Sequence, residues 1–406
     1  MRQLSLLIAL MFYMFTTSAQ NKLTIEEAVL LSYENNIELK KQYTKLSIAD
    51  IAAEESARIP NPIFSYSRED LRFGNIEYNE WTASGTLPLN FLWNRWSLIN
   101  SKEKEKEVEN LLYSRLKKKI ETKVRNEYKA IILYSELTSK FNSFLIQLER
   151  LAKVTKDRLS EGDISEYEYR RILLEINKIK TVTGEIEIKK EEYYNNFRLL
   201  TGLSNNERLQ LTPFEYSLEL EDDLSNLILT ALESRKDLLA YKIMIESENS
   251  NLSYHKTAMI PEMSLTAGYK EQNDNFNGTV FQLNIAIPLF DRNQTNIEKS
   301  AIQIDLIQKE LQFLKESIKR EVSEAYMGFN IKKKNYESTM EANLTEIFST
   351  ALFSYEVGEI TLVDFIDGMN AYLNGLILQT NLEIEVYLNL FRLEEAVGKE
   401  IIKIIE

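Results

Sequence analysis

The chain has 406 residues, yet it contains no cysteine, a single histidine (His255), 12 glycines and 6 prolines. The missing cysteines exclude disulfides, thiolate metal sites and lipid attachment through a thiol, so stability must come from packing. One histidine, no HExxH pair and no glycine-rich phosphate loop leave no constellation for catalysis, a metal or a cofactor. His255 is expected to be structural or solvent-facing. The 62 acidic residues make chance carboxylate pairs on solvated helices inevitable. A net charge of −13 argues against nucleic acid as a partner, since phosphate binding needs a basic surface. Beyond the first twenty residues no stretch of about twenty apolar residues occurs, so no membrane-spanning helix is expected and any crossing would use strands. Few glycines and prolines also mean long, uninterrupted elements, mostly helical.

The opening MRQLSLLIALMFYMFTTSAQ places one Arg before an apolar run and ends in Thr17-Ser18-Ala19. This is the pattern of an export signal over residues 1–19, with Gln20 as the expected mature start. An uncleaved anchor is the runner-up, weakened by the shortness of the run.

What punctuation exists occurs twice, about two hundred residues apart. Pro60 is answered by Pro261, Pro88 by Pro288, the glycine turn at Gly162 by Gly358, and Phe197-Arg198-Leu199 by Phe391-Arg392-Leu393. Proline is the residue least free to drift between helix and loop, so the pattern reads as an internal duplication, 20–212 and 213–406. Each copy opens with an amphipathic helix. Thr24 and Glu27 form a capping box in the first, and Ser225 stands at the matching place in the second. Each helix is expected to end before its proline, Pro60 or Pro261.

There the apolar period changes from about 3.5 to 2. Strands are predicted at 61–70 and 79–88, and again at 261–271 and 279–288, joined by the polar segments DLRFGNIEY and QNDNFNG. Met263, Leu265, Ala267 and Tyr269 alternate with Ser264, Thr266, Gly268 and Lys270. Past Pro88 and Pro288 come long helices that mix apolar positions with charges of both signs, as in a coiled-coil array. About seventy helical residues would reach on the order of 100 Å, too long for a compact globule. Return helices are predicted over 163–200 and 361–397, and a linker near 204–222 joins the copies.

The strands alone permit a small soluble hairpin packed on helices. Export, strands of about ten residues and alternating faces favour a membrane barrel instead. Trp81, Trp93 and Trp96 all lie in the second strand or just after Pro88, where a membrane interface would place them; packing at a helix crossing is the other use of such residues. Four strands cannot close a barrel, and lipid forbids an open sheet edge, so several chains must share one. Two copies would give a side-chain-filled barrel of eight strands, whereas three give twelve and room for a channel.

The duplicated order of helix, strand pair, proline, long helix, glycine turn and return helix, with YEVGEITLVDFIDGMNAYLN from Tyr355 to Asn374, resembles the TolC-like outer-membrane efflux family over essentially the whole mature chain. The resemblance implies a mostly α protein with membrane β: a shared twelve-stranded β-barrel, four strands per chain, continued by a long α-helical coiled-coil barrel in the periplasm. It implies a homotrimer in outer-membrane lipid, partnered by a periplasmic adaptor and an inner-membrane efflux pump, with no cofactor. Asp364 and Asp367 match acidic residues that ring the periplasmic entrance in the family. Three copies would set six carboxylates around one axis, which should raise one or more pKa values and attract cations. For Asp364 a second use stays open, because Thr361 and Asp364 also form a capping box, as do Ser165 and Glu168. Tyr355 matches a residue that helps hold the entrance closed. The chain departs from the pattern at Ile360, where well-known members carry Arg. Gly162 and Gly358 are expected to be left-handed helix caps. With Leu159, Ser160, Asp163 and Glu359 they form the tips that would touch the adaptor.

The alternative is a periplasmic or surface coiled-coil scaffold without a pore, which would not need four alternating strands. Cargo stays open between drugs, metal cations and proteins. The overall look is nearest the metal-cation branch, although no His or Cys cluster supports a bound metal.

Overall fold

The computed structural model describes residues 22–204, 210–273, 275–340, 344–401 and 404–405; the signal segment read from residues 1–19 lies outside them. The elements are β1 (Lys22–Leu23), α1 (Ile25–Asn35), α2 (Ile37–Ser56), β2 (Ile63–Phe73), β3 (Ile76–Pro88), α3 (Phe91–Glu161), α4 (Glu166–Thr201), β4 (Gln210–Leu211), β5 (Glu215–Tyr216), α5 (Leu224–Ser234), α6 (Lys236–Thr257), β6 (Glu262–Gln272), β7 (Asn277–Ala286), α7 (Gln294–Met340), α8 (Leu344–Glu356), α9 (Leu362–Val397) and β8 (Ile404–Ile405). Two compact units draw on both sequence copies. One takes the described residues up to Lys40 with Leu116–Ser234 and Ile318 onward, and the other takes Lys41–Arg115 with Arg235–Ser317.

In the Lys41–Arg115 and Arg235–Ser317 unit, the four strands form one antiparallel sheet in the order β2-β3-β6-β7. The strands are longer than the alternation alone indicated in the first copy. Leu71 and Phe73 pair with Tyr78 and Ile76, so the segment read as a polar joint is ladder, closed by a turn with Gly74 at φ 61°. Glycine at the first central position of a two-residue hairpin loop matches the right-handed twist of the strands.

Register sorts the side chains into two faces. Phe64, Gly85, Ala267 and Phe281 stand in one row across the sheet, and Leu87, Leu265 and Leu283 in the next. Trp81 stacks on Tyr66 (6.1 Å) and lies 5.8 Å from Tyr269, closing the apolar band beside Arg68 and Glu271. The opposite face is hydroxyl and amide. Thr86 and Thr266 share a 2.7 Å hydrogen bond, Asn284 donates to Ser264 at 3.2 Å, and Lys270 and Gln272 both donate to Glu80. Along the same unit's helices Arg235 and Arg115 converge on Asp237. Burial would raise that carboxyl, but hydrogen bonds and charge from Arg235 bring it below its ordinary range.

The other unit packs α3, α4 and α9 through Phe141, Phe144, Ile172, Ile176, Phe365 and Met369. A second cluster gathers Phe329, Leu390 and Phe391 around Tyr216. The region read as a linker is structured beyond 210: β4 pairs in parallel with β1, and β5 antiparallel with β8. Tyr128 secures it, its hydroxyl donating to the Leu23 carbonyl and accepting the Thr212 N–H. Arg125 is the charged hub here. It reaches Glu121 at 2.6 Å, Glu394 at 3.0 Å and Glu400 at 3.3 Å, with its guanidinium 5.8 Å from the Tyr216 ring centre.

Two helical expectations need correction. The opening helix of each copy is two helices, broken at Asn36 and Arg235, whose ψ values of 126° and 122° are extended. Asn36 does this by capping α2, its Oδ1 accepting from Glu38 and Leu39, while its amide and that of Asn35 reach the Leu200 and Thr201 carbonyls at the end of α4. The second copy is capped by Asp223, not Ser225: Asp223 Oδ1 accepts the Asn226 N–H at 2.8 Å. After Pro288 helix is described over Gln294–Met340 and Leu344–Glu356, with 341–343 outside the described residues, and after Pro88 α3 is one helix of 71 residues. His255 is half-buried, and Asn293 donates to its carbonyl at 2.9 Å.

Candidate functional site at the helix turns

Both glycine turns are built alike. Gly162 and Gly358 have φ of 85° and 82°, a region a side chain strains to enter. Each donates three residues back, to Leu159 and Tyr355, and the next N–H donates five back, from Asp163 to Arg158 and from Glu359 to Ser354. This is the double bond pattern of a glycine-terminated helix. A Cβ at either glycine would meet nothing within 4 Å, so conformation rather than space requires them. Ser160, Gly162, Asp163, Gly358 and Glu359 are exposed, and Leu159 is half-buried.

Return helices follow with matching caps. Ser165 caps α4 through Glu168, and Thr361 caps α9 through Asp364. The Thr361 hydroxyl and N–H donate to Asp364 Oδ2 at 2.7 and 3.1 Å, and the Asp364 N–H returns to Thr361 Oγ1 at 3.3 Å. These bonds hold the exposed Asp364 carboxyl below its ordinary range within the single chain. The depressed carboxylate therefore supports the folded turn above the usual aspartate range of about 3.9, and that support is lost as pH falls through the lower folded value. Replacing Thr361 with alanine should move Asp364 back toward its ordinary value, as read by NMR titration; an unmoved Asp364 would mean that the cap does not set it.

Asp367 lies one turn further along α9 and is exposed beside Asp364. Tyr355 comes to the same place from α8, its ring stacked on the buried Phe365 at 5.0 Å and 18°. Burial, with the charge of Glu168, raises its hydroxyl, and Arg158 opposes that. Ile360 packs against the core cluster, so no cation stands where the resemblance expects Arg. Sequence reasoning did not find the groove beside this site: about 600 Å³ lined by Arg150, Val154, Arg158, Leu352, Tyr355 and Glu356. Among the described residues no His, Cys, Asp and Glu group could hold a metal, and no helix is long and apolar enough to cross a membrane.

A two-faced membrane-length sheet together with long capped helix hairpins is the architecture of outer-membrane channels. The chain superposes on the structure of CusC with a TM-score of 0.76 at 15% identity, covering 93% of this chain and 92% of that one. For the CmeC outer membrane channel of Campylobacter jejuni the values are 0.74 and 15%, over 92% and 85%. The cobalt-zinc-cadmium resistance protein CzcC of Cupriavidus metallidurans is 20% identical over 361 residues, 87% of this chain and 84% of its own length. The outer membrane efflux protein family profile matches residues 227–399. The chain carries the outer membrane efflux protein domain over residues 227–399, and its fold is that of TolC-like outer-membrane channels. It is an outer-membrane duct rather than an enzyme, with its helical part on the periplasmic side.

Proposed function

We propose that three copies of this chain close one twelve-stranded barrel and one helical duct, a passive exit for cargo passed on by a periplasmic adaptor and an inner-membrane pump. The observation that carries this is the sheet itself. Four strands bear a continuous apolar face and a polar face, and the outer edges of β2 and β7 have no partner among the described residues. Lipid tolerates no such edge, and three sheets in a ring remove all of them. A pore-less scaffold leaves the apolar band without a purpose. Within this reading Asp364, Asp367 and Tyr355 form the periplasmic gate. The exposed turns at Leu159, Ser160, Gly162, Asp163, Gly358 and Glu359, with the adjoining groove, form the adaptor seat. The relation to CzcC favours divalent metal cations as cargo, in transit rather than bound.

Replacing both Asp364 and Asp367 with alanine should change single-channel conductance and weaken block by Mg²⁺ from the helical side in planar bilayers. Unchanged conductance and block would remove the pair from the gate.

A further inference from the structure

The two turn hairpins share seam positions but not seam chemistry. In the second, α8 and α9 meet at four levels. Tyr355 stacks on Phe365 and Phe348 on Tyr372, each pair 5.0 Å apart. Alternating with these stacks are two glycines. A Cβ on Gly368 would lie 3.2 Å from the Ala351 Cβ, and one on Gly375 would lie 2.8 Å from both Leu344 methyls. The positions 344, 348, 351 and 355 on α8 face 375, 372, 368 and 365 on α9, the four-and-three spacing of knobs-into-holes packing. Counting back 196 residues, the offset from Gly358 to Gly162, the corresponding positions of the first hairpin hold Leu148, Ala152, Thr155 and Leu159 on one helix and Ile179, Ile176, Ile172 and Tyr169 on the other. Isoleucine stands at the places of both glycines.

A glycine inside a helix costs about 1 kcal/mol relative to alanine, and neither of these terminates α9 or turns the chain. Their use is close approach. Each gate aspartate is followed directly by a seam residue, Asp364 by Phe365 and Asp367 by Gly368. We propose that Gly368 and Gly375 are positioning residues of the gate: they let α9 close onto α8 and so fix where Asp364 and Asp367 stand. This rests on the reading of the aspartate pair as the gate. Gly368 is the stricter of the two, because the Ala351 methyl cannot rotate away, whereas the Leu344 methyls can. A methyl at 368 therefore requires the two helices to give by a few tenths of an ångström, and a larger side chain requires more.

The test uses the purified trimer in planar bilayers, with Mg²⁺ as the blocking ion and melting temperature recorded for every variant. Gly368→Leu should shift the half-blocking Mg²⁺ concentration by at least about fivefold, with Gly368→Ala shifting it less. The exchange Gly368→Ala with Ala351→Gly moves one methyl across the seam and should restore the wild-type value, which a purely structural role has no reason to track. If Gly368→Leu fails to assemble, Gly368→Ala and its exchange partner carry the comparison. A shift that the exchange does not reverse overturns the proposal. So does unaltered block in the glycine variants when the double aspartate variant is altered, and that outcome leaves the gate intact. If the double aspartate variant is also unaltered, the gate reading itself falls and takes this inference with it.

Discussion

Replacing Arg125 with alanine is expected to destabilise the protein by about 3–5 kcal/mol, the usual cost of stranding buried charge. Its side chain and that of Glu394 are only 14% and 3% exposed, and no second cation makes a close ion pair with Glu394 among the described residues. Glu394 also accepts the Ile401 N–H at 3.1 Å, so the loss reaches the segment leading to β8. Burial already raises the Glu394 carboxyl, and Arg125 is the largest opposing influence. Removing Arg125 must raise it further. A carboxyl raised on folding favours the protonated folded state, so its contribution is full below the unfolded value of about 4.3 and is lost as pH rises through the folded value. The alanine variant should thus be weakest at neutral pH and regain part of its stability on mild acidification. Adding Glu394→Gln should recover part of it at neutral pH. Thermal melting of the detergent-solubilised protein across pH checks this; a loss independent of pH, unrelieved by the glutamine, would mean that Arg125 acts through packing alone.

The second large effect separates two neighbouring residues. Phe281 stands in the row Phe64, Gly85, Ala267, Phe281 at the middle of the apolar face, while Gln282 points to the polar face opposite Thr266. Arginine at a lipid-facing barrel site costs about 2–4 kcal/mol at the midplane and little in the lumen. Phe281→Arg should therefore lower folding yield into lipid vesicles and the denaturant midpoint by that order, and Gln282→Arg should leave both near wild type while altering conductance. Equal effects from the two would contradict the assignment of faces. Among the described residues no helix is long and apolar enough to cross a membrane, which makes this contrast at the sheet informative.

The sheet and the long helices were legible because they rest on periodicity. Alternation at Met263 to Tyr269 and the absence of glycine or proline between Pro88 and Gly162 are local signals, and the structure follows them. The breaks at Asn36 and Arg235 were not legible. Neither is a glycine or proline, and the Asn35 and Asn36 amides find carbonyls more than 160 residues away. The short strands near 210–216 were missed for the same reason: two-residue pairs leave no period, and their partners lie at opposite ends of the chain. The joint between β2 and β3 misled because Asp70, Arg72 and Glu77 are polar, as a barrel rim must be where it leaves the membrane. At the candidate gate, the motif located Asp364, Asp367 and Tyr355. The direction of the Asp364 shift depended on the Thr361 cap, which the sequence offered as one of two uses. The seam glycines gave no signal as single residues; only their facing partners Ala351 and Leu344 give them meaning.

The central claim is that this chain forms a trimeric channel, and planar-bilayer conductance of the purified protein, with oligomer mass determined on the same sample, tests it most directly. Trimers that give discrete, cation-preferring conductance steps are the predicted result. A water-soluble protein of another stoichiometry that never conducts would contradict the account.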